Sequence, residues 1–126
     1  MQFYRTQKTK RFVNNLTIFS IINVSGVNMR IKSFELGGHK IKVSYLKVVR
    51  DESKEMFGRF NPRTNVMEIA LEMNGEKLSD EVVQHTFCHE LGHAMMILMY
   101  EFELNANEKF IDNLGLLLHQ FLKSAK

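Results

Sequence analysis

Cysteine occurs once in the chain, at Cys88, and uninterrupted apolar runs are short. A single thiol excludes a disulfide within the chain and fits a reducing compartment, so a cytoplasmic location is expected. The apolar stretch near the start, Leu16 to Val24 (LTIFSIINV), is broken by Thr17, Ser20 and Asn23. It is far shorter than the roughly 20 residues a membrane helix requires, so no membrane span is expected. This stretch follows basic residues and ends in Val24-Ser25-Gly26, which leaves export, with residues 1–26 as a signal, as the alternative. Internal repeats, low-complexity tracts and linkers are missing as well, which favours one compact domain.

Charge of one sign is scarcely in excess: 17 Lys and Arg stand against 14 Asp and Glu, for a net +3 and a pI near 9.1. Arg5, Lys8, Lys10 and Arg11 lie in residues 1–28, which hold no acid, whereas from Met29 onward acids outnumber bases by one. The basicity belongs to a tail. That cluster is brief and carries no reading motif, so a nucleic-acid partner is not expected. Residues 1–28 therefore read as a dispensable basic and apolar extension. Residues 29–126 read as the folded domain, opened by the alternation of Met29-Arg30-Ile31-Lys32. A domain of this size has a modest core, to which a bound metal would add stability.

Arg30 to Leu36 and Lys40 to Val49 alternate apolar with polar residues around Gly37-Gly38, the pattern of a β-hairpin. Met56 to Phe60 and Val66 to Leu71 form a second pair around Asn61-Pro62-Arg63-Thr64-Asn65, where proline and asparagine suit a turn. Ser79 can cap a helix whose first turn carries Asp80 and Glu81, and which is expected to run to about Phe102. Its second half, Ala94 to Tyr100, is apolar on every side, as in a helix packed between layers. Asn105 or Asn107 can cap a last helix ending near Lys123, with Phe110, Ile111, Leu114, Leu117, Leu118, Phe121 and Leu122 at helical spacing. The order is a small antiparallel sheet, then a central helix and a C-terminal helix: an α+β fold.

Within the central helix stands His89-Glu90-Leu91-Gly92-His93. Four-residue spacing puts both imidazoles on one face, about 5–6 Å apart at Cβ, where two nitrogens can reach one zinc. Glu90 is rotated around the helix, beside the metal instead of on it, placed to take a proton from a bound water. The bland alternative is a pair of surface histidines that pair with Glu90 along the helix. A catalytic zinc takes three protein ligands and an open position, so one ligand is still needed. Glu108 is the candidate: 14 residues separate it from His93, enough for two more turns, a reversal and the start of the next helix. Asp112 follows one turn later on the same face, placed to accept a hydrogen bond from a ligating imidazole.

His89-Glu90-Leu91-Gly92-His93 followed by Asn107-Glu108-Lys109-Phe110-Ile111-Asp112 resembles the zincin metallopeptidases with a glutamate third ligand, among them the thermolysin-like enzymes. The short distance between the two motifs and the small sheet are closer to the minimal zincin domains of phage-type, anti-repressor and stress-response proteases, over residues 29–123. The resemblance implies one zinc held by His89, His93 and Glu108, Glu90 as general base, and Asp112 supporting a histidine. It also implies an edge strand that pairs with extended substrate, for which Val66, Glu68, Ile69 and Ala70 are the candidates. Zincins usually add a Tyr, His or Arg that stabilises the oxyanion. His85, one turn before His89, is the nearest extra donor, with an ordinary half-exposed histidine as its plain reading. Tyr100 and His119 stand about 10 and 16 Å along their helices, too far for direct help.

Cys88 is expected to pack in the core, and Met95, Met96 and Met99 to fill it. The expected activity is zinc-dependent hydrolysis of a peptide or protein substrate. The alternative is a non-hydrolytic, zinc-stabilised protein-binding module, such as a repressor-binding regulator.

Overall fold

A computed structural model describes residues 30–126. The extension expected at residues 1–28, with its basic cluster and apolar stretch, lies outside the described residues. Lys32–His119 form one compact unit, and Gln120–Lys126 belong to a second. Every described strand lies in the first.

That unit is α+β, with strands first and helices after. Strand β1 (Ser33–Leu36) and strand β2 (His39–Leu46) form the expected hairpin, with Gly37 and Gly38 at φ +58° and +83°, values that a two-residue turn of this kind requires. The run expected to continue to Val49 divides after Leu46, and β3 (Val49–Asp51) pairs instead with β4 (Lys54–Met56) in a small separate hairpin. Strand β5 (Gly58–Asn61) and strand β6 (Val66–Ala70) are antiparallel, joined by the Pro62 turn, in which Asn65 takes φ +56°. A short hairpin, β7 (Glu72–Met73) and β8 (Glu76–Lys77), turns on Asn74-Gly75, both at positive φ.

The main sheet has the order β1-β2-β6-β5. Two of its three pairings are antiparallel, and β2 with β6 is parallel. Ile41, Val43, Met67 and Ile69 are buried on one face, whereas Glu68 on the other side of β6 pairs with Arg59 at 2.7 Å. Strand β6 is thus an inner strand, not the edge expected of it. Its backbone is hydrogen-bonded to β2 on one side and to β5 on the other, which leaves no edge for a further strand. The edge falls to β5, whose Gly58 and Arg59 make it a poorer interior strand.

Helix α1 (Asp80–Leu98) is capped as expected, with the Ser79 hydroxyl accepting from Val82 N at 3.2 Å. It packs on β5 and β6, and Phe87 meets Phe34 of β1 edge to face at 5.8 Å. Cys88 is buried on the inner side of this helix, and burial pushes its thiol up to about 12, as befits an inert core residue. The helix stops a turn short of Phe102. Tyr100 adopts φ +60°, its N–H reaches Ile97 O, and Glu101 N–H reaches Met96 O, which together close a Schellman motif without the usual glycine. Ala94 and Met96 are buried as expected, but Met99 and Tyr100 emerge into solvent.

The five-residue helix α2 (Phe102–Ala106) carries the chain across to α3 (Glu108–Ser124). Asn107 begins α3, its Oδ1 accepting from Phe110 N at 3.1 Å. Among the described residues no helix is long and apolar enough to cross a membrane.

Candidate metal centre

The spacing of His89 and His93 does what a helix requires of it: the rings stand 5.0 Å apart between centroids, on one side of α1. Two different neighbours fix their tautomers. His89 Nδ1 lies 2.8 Å from Asp112 Oδ1 on α3, and His93 Nδ1 lies 2.8 Å from Asn105 Oδ1 on α2. An amide oxygen only accepts, so His93 Nδ1 is the donor and Nε2 is left bare. The carboxylate of Asp112 imposes the same choice on His89.

Both bare nitrogens face Glu108, the first residue of α3. Its Oε1 is 3.4 Å from His89 Nε2, and its Oε2 is 3.4 Å from His93 Nε2. These separations are long for charge-assisted hydrogen bonds, which close to about 2.7–2.9 Å. Each is close to the ligand-to-ligand spacing of about 3.4 Å around an ion with legs of about 2.0–2.1 Å, the two contacts being made by different oxygens of the one carboxylate. One ligand atom from each of His89, His93 and Glu108 lies within 4.8 Å of the other two. The three donors and their supports fit a divalent ion of the zinc type: two neutral imidazoles, one carboxylate, and a partner for the far nitrogen of each ring.

Glycine brings these elements close enough. A methyl group on Gly115 of α3 would stand 2.9 Å from His89 Cα and 3.1 Å from His89 N, so the two helix backbones touch at the first ligand. Gly92, inside the pentapeptide, leaves room for Leu114 and Ile111 of α3. On the opposite side, a methyl on Gly58 of β5 would meet Thr86 Cγ2 at 2.8 Å and Glu68 O at 2.9 Å, with Glu90 Cγ at 3.4 Å. The edge strand therefore lies directly against the turn of α1 that carries Glu90.

Glu90 is only 6% exposed. Burial, reinforced by the negative charge of Glu108, pushes its carboxyl up to about 8. The His89 imidazole is held below its usual value by burial and by His93, against the opposing pull of Asp112 and Glu108. A cavity of about 790 Å³ runs beside α1 from Val82 to Ile97, along β5, and is lined by His89, Glu90, His93 and Glu108 together.

The structure brings together His89, Glu90, His93, Glu108 and Asp112 in the arrangement expected from their spacing. His85 lines the same cavity, but its Nε2 is buried and without a hydrogen-bond partner among the described residues, so that nitrogen is not the one that faces the cavity. Val66, Glu68, Ile69 and Ala70 do not form an accessible edge, because β6 is paired on both sides; the strand beside the cavity is β5. Asn105 escaped sequence reasoning. The available signal was the rule that each ligating imidazole needs its own partner, together with a polar residue at the reversal between the helices. Comparison of the chain with protein-family models, curated proteins and solved structures gives no match, so the reading of the site rests on its geometry.

Proposed function

We propose that the chain is a zincin-type, zinc-dependent peptidase. The observation that carries the reading is the convergence of one ligand atom each from His89, His93 and Glu108 within 4.8 Å of one another, with a buried acid beside them. A zinc ion held by these three residues would supply a Lewis acid for the scissile carbonyl. Glu90, whose ionised form the charge of the cation would favour, takes a proton from the water that attacks the carbonyl carbon. As the C–N bond breaks, the same carboxyl returns that proton to the departing amine nitrogen. Asp112 and Asn105 hold the two imidazoles in the tautomer that leaves Nε2 free.

The groove supports a polypeptide substrate. From Val82 to Ile97 it follows α1 for about 22 Å at about 1.5 Å per residue, the length of roughly six extended residues. Among the described residues strand β5 is an edge of the sheet, available along the groove for main-chain pairing, and Gly58 sets Glu90 close to it. Burial of Glu90 favours hydrolysis over a purely structural metal, which has no use for an acid held out of water. The test is metal content and cleavage together: one zinc per chain, and a Glu90→Gln variant that keeps the metal and loses cleavage of a mixed peptide library. Full cleavage by that variant would overturn the assignment.

A further inference from the structure

His85 is among the polar groups of the groove that the proposed hydrolysis leaves unused. His85 lies one turn before His89 on α1, about 6 Å along the axis, and lines the same cavity. Its ring stands 5.7 Å from that of His119 on α3, which is 6% exposed and forms a packed backing behind it. His85 Nε2 is buried and meets no hydrogen-bond partner, yet the residue as a whole is only half-buried. A buried N–H without an acceptor costs more than a buried lone pair, so we place the ring proton on Nδ1, which is not a buried, unpartnered atom and is the nitrogen open to a ligand. The nearby hydroxyl, Thr86 Oγ1, already donates to Val82 O at 2.9 Å.

Two other roles fit poorly. A second metal would need more than two imidazoles, and among the described residues the group of three or more converging ligands is His89, His93 and Glu108. An oxyanion donor would have to reach the scissile carbonyl, whereas a displacement of about 6 Å along the groove corresponds to nearly two residues of an extended peptide. The geometry points to His85 as a specificity-determining residue. Its Nδ1–H selects a substrate side chain bearing a carboxylate or carboxamide oxygen, within two residues of the scissile bond toward the N-terminal end of α1. This inference rests on the peptide-binding part of the proposed function and is independent of hydrolysis.

The test measures binding of an octapeptide library to the zinc-loaded full chain carrying Glu90→Gln. At one position, Asp, Glu, Asn or Gln should bind about ten-fold more tightly than Leu, the usual scale for one good hydrogen bond to a substrate group. Adding His85→Leu should reduce that ratio below about two-fold. Adding His85→Asn, whose amide N–H mimics Nδ1, should retain it, and His85→Gln, whose amide mimics Nε2, should not; this pair decides the matter if the leucine variant fails to fold. A preference unchanged by His85→Leu, no such position in the library, or equal weakening of every peptide would overturn the assignment. Selective binding by the Glu90→Gln chain with no cleavage by the unaltered chain would remove the hydrolytic reading alone. No binding of any peptide would remove both.

Discussion

Asp112 Oδ1 accepts from His89 Nδ1 at 2.8 Å, one turn after Glu108, whose carboxylate faces the other nitrogen of the same ring. One helix of the pair thus supplies both the third candidate ligand and the brace for the first. Asp112→Ala should lower zinc affinity by about 10- to 100-fold, the usual effect of removing a partner of this kind, measured by competition with a chromophoric chelator. Asn105→Ala should act similarly through His93. Unchanged affinity in both variants would show that the two rings need no support.

Glu90 makes the metal-free chain sensitive to pH. Its carboxyl sits at about 8 in the folded chain, against an ordinary 4.5, because burial and Glu108 disfavour the charged form. The folded state therefore retains a proton that the unfolded state releases. The stability from this group is fully present below about pH 4.5 and is lost as the pH rises toward about 8. Urea unfolding of chelator-treated protein should show a decline over that interval, by at most a few kcal/mol at about 1.4 kcal/mol per pH unit, and Glu90→Gln should flatten it. Parallel curves for the two chains would exclude a buried carboxyl at this position.

Gly115 and Gly92 should respond differently to alanine. At Gly115 the added carbon meets backbone, 2.9 Å from His89 Cα, and backbone cannot turn aside. The helices must separate, which should destabilise the chain by about 1–3 kcal/mol and weaken zinc binding, because Glu108 belongs to the displaced helix. At Gly92 the nearest atom is Leu114 Cδ2 at 3.4 Å, the end of a flexible side chain. Thermal unfolding with and without zinc should separate the two variants, and equal behaviour would contradict the close crossing at His89.

Tyr100 occupies a left-handed position at φ +60° and is 78% exposed, so it has strain to lose and little packing. Tyr100→Gly should stabilise the chain by roughly 0.5–1 kcal/mol in denaturant titration. A loss of stability would mean that the Tyr100 ring, 6.0 Å from that of Phe102, contributes more than the backbone strain removes.

The parts of this fold set by local chemistry were legible from the residues. Ser79 begins α1, Gly37-Gly38 turns the first hairpin, and the four-residue period places His89 beside His93. Glu108 and Asp112 could be named because one short reversal and one helical turn determine where they fall. What was not legible depends on contacts distant in sequence. The apolar run Val66 to Ala70 marks a strand but not its place in the sheet, and only its pairing with β2 makes it an inner one. The early end of α1 was hidden because Tyr100 performs a task for which glycine is the usual signal. Gly115 gave a hint that could have been used, since glycine within an apolar helix face often marks a close approach.

The three candidate ligands and both residues that orient them fall within His89 to Asp112, and the two stretches that would hold the metal are only 14 residues apart. An ion gripped there closes a short loop, and the entropy lost in doing so grows only with the logarithm of its length. The clasp draws nothing from the strands. A metal could therefore clasp the pair of helices before the strands of residues 33–77 have settled against them. Metal supply during folding would then govern the yield of folded chain.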